Sequence, residues 1–224
     1  QDHGAQEQGQ EQRFASVGAT RGEEKARLTE GPAVLHEEVL GRSLEVSQES
    51  FWQSHKRAPE ILTQAVLDFA KLKTGEHVLD LYGGVGLFSA AIVDAVGPTG
   101  HVDLIEGSKV ATADAARNFN SYTNITIATG DVAKLLPRIT AADVVVLDPP
   151  RDGAGKEAVA LIAQLAPRAI VYVACDPVAL ARDTAYLADH RYSLVKVRAF
   201  DLFPMTHHIE CVALYERAEV SSAL

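Results

Sequence analysis

The sequence predicts an α/β fold built on one mainly parallel sheet of seven strands, with helices covering both faces. Three observations carry this expectation. From about residue 58 onward, apolar runs of strand length alternate with stretches of helical spacing. Such alternation implies right-handed crossovers and strands buried on both faces. The last two apolar runs are joined only by a short connection containing Pro204, so they form an antiparallel pair that closes the sheet.

The elements follow in order. Residues 1–32 are rich in Gln, Glu, Gly and Arg with almost no apolar periodicity, the composition of a flexible segment that cannot bury enough surface to offset chain entropy. Residues 33–50 contain an alternating stretch folded around Gly41, expected as a hairpin left over from a preceding domain, and residues 51–218 form the main domain. Ile61, Leu62, Ala65, Val66 and Phe69 have helical spacing within Ala58 to Leu72, and Thr74-Gly75 ends that helix. Strands are expected at residues 77–82, 101–106, 125–129, 143–148 and 169–175. Helices are expected between them, at 87–96, 108–120, 131–138 and 156–166, and after the last of them at 178–190. The closing pair occupies 193–203 and 208–217. In such a sheet a ligand lies at the carboxyl ends of the strands.

Bulk composition narrows the classes. The chain has 224 residues, 47% of them hydrophobic, which is enough for one sizeable core. No apolar run approaches the roughly 18 residues of a membrane span, so the expected location is the cytoplasm. Two cysteines, Cys175 and Cys211, cannot alone build a disulfide framework or a four-cysteine metal site, and no metal site is expected. A net charge of -9 has the wrong sign for a broad nucleic-acid grip, so any nucleic-acid affinity would need a local patch or a further module. Lys56, Arg57, Arg151, Lys156, Arg182 and Arg198 are the basic residues expected near the ligand-binding face. Nothing demands more than a monomer.

The first strand runs into Asp80-Leu81-Tyr82-Gly83-Gly84-Val85-Gly86. Glycines here let the backbone turn sharply and approach a ligand at the mouth of the next helix. Glu106, at the end of the second strand, stands where an acid can hold ribose hydroxyls. Dinucleotide folds share this arrangement, but Ser89 stands where their fingerprint has its third glycine. Asp131 is either an adenine contact or a helix N-cap. Strand four ends in Asp148-Pro149-Pro150-Arg151, where amino-group methyltransferases carry an aromatic residue in place of the arginine. Strand five ends in Ala174-Cys175-Asp176-Pro177, so the thiol stands at a helix N-terminus whose dipole favours the thiolate. Asp176 opposes that effect unless it is turned away as a helix cap.

Phe51-Trp52-Gln53, the glycine-rich turn, Asp148-Pro149-Pro150-Arg151, Ala174-Cys175-Asp176-Pro177 and the segment from Phe203 to Cys211 occur in one order. In that order they resemble the uracil-C5 RNA methyltransferases, over roughly residues 44 to 217. The resemblance implies a class I, Rossmann-like methyltransferase domain that uses S-adenosylmethionine to methylate a uridine in RNA, ribosomal RNA being placed slightly ahead of transfer RNA. It implies Cys175 as nucleophile, Glu210 as the base that removes the C5 proton, and Asp148 as an acid near uracil and cofactor. Gln53, Tyr82 and Glu106 match cofactor-contacting positions, and Gly84, Gly86, Asp131 and Asp148 are expected to join them. Members often carry an N-terminal RNA-binding domain, which is expected in the native chain. Two other readings remain: a non-catalytic scaffold that binds S-adenosylmethionine or RNA, and a methyltransferase acting on another base atom. Intact Cys175 and Glu210 argue against a scaffold. Arg151 disfavours adenine N6, and the absence of Pro-Cys and Thr-Cys pairs disfavours cytosine C5.

Overall fold

A computed structural model of the chain describes residues 33–203, 205–206 and 208–218. The flexible segment expected at 1–32, together with Pro204 and His207, lies outside the described residues. The chain opens with a hairpin of β1 (Val34–Val39) and β2 (Arg42–Ser47), turning at Leu40 and Gly41, which both have positive φ. Helix α1 (Ala58–Ala70) has Pro59 in its first turn, where a missing N–H costs nothing, and ends where Lys71 turns left-handed. Its inner stripe of Leu62, Ala65, Val66 and Phe69 is buried, and truncating Leu62 to Ala would cost about 2–5 kcal/mol.

Strands and helices then alternate: β3 (His77–Leu81), α2 (Ser89–Val96), β4 (His101–Glu106), α3 (Lys109–Asn118), β5 (Ile125–Thr129), α4 (Val132–Leu135) and β6 (Val144–Leu147). They continue through α5 (Gly155–Gln164), β7 (Ala169–Ala174), α6 (Pro177–Asp189), β8 (Tyr192–Phe200) and β9 (Glu210–Arg217). The seven strands β3 to β9 form one sheet in the order β5-β4-β3-β6-β7-β9-β8. Neighbours among β3 to β7 are parallel, while β9 runs antiparallel to both β7 and β8. The expected antiparallel pair thus closes the sheet, with the later strand inserted between β7 and β8.

Period-two alternation divides the core between the two faces. Val78, Val144, Val146, Val171, Val173, Val212 and Leu214 face a cluster shared with α1 and α2. Leu79, Leu81, Val145, Leu147, Ile170, Tyr172, Cys211, Ala213 and Tyr215 face the other, shared with α5 and α6. Cys211 is therefore a core residue on the face opposite Glu210. The hairpin contributes Val39 and Leu44 to the first cluster, and Asp114 of α3 accepts from Ser47 N (2.8 Å) and from the Ser47 and Ser50 hydroxyls (2.6 Å each).

Two helices depart from their sequence patterns for a clear local reason. Ser89 rather than Leu87 begins α2, because the preceding residues form the glycine-rich turn and the Ser89 amide is committed to Asp80. The helix expected at 131–138 is a four-residue α4 followed by a 3-10 turn at Leu136–Arg138, since Pro137 has no N–H with which to continue an α ladder. Among the described residues no helix is long and apolar enough to cross a membrane.

Candidate active site

The ends of β3, β4, β6 and β7 and the start of β9 surround a cleft of about 730 Å³. Tyr82, Gly84, Glu106 and Asp131 line one part of it, with Gln53 from the segment before α1. Asp148, Arg151, Cys175 and Glu210 line the other, together with the aromatic rings of Phe51, Phe203 and His208. Of the candidate catalytic and cofactor-binding residues, Gly86 alone does not reach the cleft wall, and of the six basic residues only Arg151 does. Gly86 has φ +95, and a Cβ there would run into the Phe119 ring, so this glycine serves helix packing.

The turn after β3 is shaped by backbone needs. Tyr82 and Gly84 both have positive φ, and a Cβ on Gly84 would meet nothing within 4 Å. Glu106 joins the turn to the end of β4: Oε2 accepts from Gly84 N at 3.0 Å and Oε1 from Ser108 N at 2.7 Å. A carboxylate has more lone pairs than these two bonds use, so hydroxyls of a ligand can still be bound there. Asp131 caps α4 by accepting from Lys134 N at 3.1 Å and also lines the cleft. Burial, with Asp131 and Asp183 nearby, pushes the Tyr82 phenol up to about 12.

Cys175 and Glu210 are brought together by register. Ala174 of β7 pairs with Cys211 of β9, so the residues just beyond, Cys175 and Glu210, lie at the same end of adjacent antiparallel strands. Cys175 is half-buried and Glu210 is only 6% exposed. Burial raises the Glu210 carboxyl, and Arg151 partly offsets this. Asp148 belongs to a row of acids with Asp80 and Glu210. Burial and those two charges push its carboxyl up to about 8. Asp80 is fully buried; its Oδ2 accepts from Ser89 N (3.0 Å) and Oγ (2.6 Å), while Oδ1 has no protein partner. Desolvation pushes it up to about 6.

Two expectations about charge need correction. The thiol of Cys175 is raised, not lowered: burial comes first, then Glu210 and Asp148, and Arg151 pulls the other way. The helix dipole does not dominate because two acids share the thiol's surroundings, whereas Asp176 is turned away, its Oδ1 accepting from Val178 N (2.7 Å) and Ala179 N (3.3 Å). Arg198 does not belong to the ligand face. It lies 3.6 Å from Asp68 and stacks on the Phe69 ring on α1, because its side of β8 faces that helix. Sequence reasoning also missed Asp183, a fully buried carboxylate in α6; a lone acid within an otherwise mostly apolar inner stripe was the available signal.

The chain is similar to known RNA methyltransferases. The model of the tRNA (uracil-5-)-methyltransferase family matches residues 135–218. An uncharacterized RNA methyltransferase of Streptomyces avermitilis is 47% identical over 190 residues, covering 84% of this chain and 44% of that protein. Another from Thermotoga maritima is 39% identical, covering 80% of this chain and 41% of its own length. The chain thus spans less than half the length of these relatives. Among solved structures, the Pyrococcus abyssi tRNA (uracil-54, C5)-methyltransferase in complex with S-adenosyl-L-homocysteine superposes with a TM-score of 0.71 at 28% identity, over 83% of this chain and 45% of that one.

Proposed function

We propose that the protein, whose residues 135–218 match the model of the tRNA (uracil-5-)-methyltransferase family, methylates C5 of a uridine in RNA through a covalent adduct on Cys175. The observation that carries this reading is the convergence of a thiol, two carboxylates and an arginine on one cleft, beside a glycine-rich turn. S-adenosylmethionine suits the remaining wall: Gln53, Tyr82, Gly84, Glu106 and Asp131 would hold it, and the surrounding acids favour a cation. When bound, it supplies an electrophilic methyl group on a positively charged sulfur.

The chain's own residues account for the other steps. C5 of uracil is a weak nucleophile, so Cys175, as thiolate, forms a bond to C6 and drives an electron pair onto C5 and O4. Arg151 supports the thiolate against Glu210 and Asp148. Asp148, with its carboxyl up at about 8, keeps its proton at neutral pH and donates a hydrogen bond to the oxygen where negative charge develops. After methyl transfer, C5 carries both hydrogen and methyl. Glu210 accepts that proton, the C5–C6 double bond re-forms, and the C6–S bond breaks to release Cys175.

In the whole protein, residues 51–218 act as the catalytic domain and 33–50 as an arm from a preceding domain, with RNA capture aided by an N-terminal module. The test is intact-mass analysis of full-length protein with S-adenosylmethionine and ribosomal or transfer RNA containing 5-fluorouridine. Fluorine cannot leave as a proton, so a methylated adduct must accumulate on Cys175 and vanish in Cys175→Ala. Methylation of ordinary RNA without any adduct on the fluorinated RNA would sink the thiol mechanism. Binding of RNA and cofactor without methylation would favour a scaffold.

A further inference from the structure

The loop between β6 and α5 carries Arg151, whose charge acts on both Cys175 and Glu210, yet that loop is fastened to neither of them. It is fastened to α6, the helix that begins just after Cys175. Asp183 of α6 is fully buried, and its Oδ2 accepts from Ala154 N (2.7 Å), Gly155 N (3.2 Å) and the Tyr172 hydroxyl (2.7 Å). Its Oδ1 accepts from Arg182 Nε (3.1 Å) and Nη2 (2.9 Å), and Nη2 also donates to the Asp152 carbonyl at 2.5 Å. Helix α5 has no side-chain cap of its own, so Asp183 satisfies its free N-terminal amides from a different helix. The fit leaves no space: Gly153 has φ +76, and a Cβ there would lie 2.6 Å from both Arg182 Nη2 and Asp183 Oδ2.

A buried carboxylate is costly unless its lone pairs are filled, and here five donors fill them. A polar cluster of this kind fixes one loop conformation rather than several. Both ends of the reacting constellation therefore trace to one helix, Cys175 by chain continuity and Arg151 through the docked loop.

We propose that Asp183 is a positioning residue for the reaction assigned above, holding the 149–155 loop so that Arg151 stays beside Cys175 and Glu210. The inference rests on the proposed function for its meaning, but its test needs neither RNA nor cofactor. Full-length protein is alkylated with iodoacetamide across a range of pH, and the Cys175 peptide is quantified by mass spectrometry. Asp183→Asn raises the apparent thiol pKa by about half a pH unit, making alkylation near neutral pH roughly threefold slower. Arg151→Ala gives a similar rise, and the double variant adds nothing further. Gly153→Ala unseats the loop from its other side and reproduces the shift with Asp183 intact, which decides the matter if Asp183→Asn fails to fold. An unchanged thiol profile in a folded Asp183→Asn or Gly153→Ala chain would reduce Asp183 to a helix cap. Fully additive shifts in the double variant would equally overturn the proposal. A parent protein that fails to methylate uridine would sink the functional reading while leaving this titration interpretable.

Discussion

Replacing Asp148 with Asn should make the cofactor-free protein more stable, and increasingly so as the pH rises. The carboxyl of Asp148 is held at about 8 by burial and by Glu210 and Asp80, against an ordinary value of 3.8. Between those two values the unfolded chain has released this proton while the folded chain retains it. The unfolded state thus binds fewer protons, and stability falls with rising pH by up to about 1.4 kcal/mol per pH unit from this one group. The full slope over two pH units would be about 2.7 kcal/mol. Asp148 is partly open to water in the cleft, so a gain of about 1–2 kcal/mol for Asp148→Asn over parent is expected between about pH 5 and pH 7. Urea denaturation of both chains at several pH values across this window measures the difference directly. Curves that stay parallel, or a variant less stable at every pH, would refute the claim that three acids compete for one buried face.

Glu210→Gln should allow adduct formation and methyl transfer but not release, so turnover falls about 10²–10⁴-fold while methylated RNA stays attached to Cys175 on denaturing gels. The preference for cationic S-adenosylmethionine over neutral S-adenosylhomocysteine should increase from pH 6 towards pH 9 as Asp148 ionises, and Asp148→Asn should flatten that trend in equilibrium binding measurements. Gly86→Ala should destabilise the fold by about 1–3 kcal/mol in urea melts, because the new methyl group meets the Phe119 ring at a backbone position with φ +95.

The sheet was legible because buried parallel strands write themselves as short apolar runs, and each run expected over residues 77–175 is found as a strand in the main sheet. Boundaries failed where local chemistry overrides periodicity, as at Pro137 and at the glycine-rich turn, whose end is set by the Ser89 amide reaching Asp80. Most candidate site residues reach the cleft because strand ends in this architecture point to one place, which a linear pattern encodes. Their electrostatics were not legible. The mutual influence of Asp80, Asp148 and Glu210 arises only when β3, β6 and β9 are brought together, and a helix-dipole argument for Cys175 could not weigh acids from distant segments. The clamp at Asp183 was hidden for the same reason, since its partners lie 11 to 29 residues away in sequence, apart from adjacent Arg182.

Inserting β9 between β7 and β8 has a consequence for how the chain matures. Cys175 emerges from the ribosome well before Glu210, and β8 has no hydrogen-bonded neighbour in the sheet except β9. Until the last strand arrives, β7 presents an open edge and the thiol stands without the proposed proton acceptor. On the mechanism proposed above, the order of synthesis acts as a safeguard: the step that closes the sheet also supplies the group that would let a captured nucleotide be released.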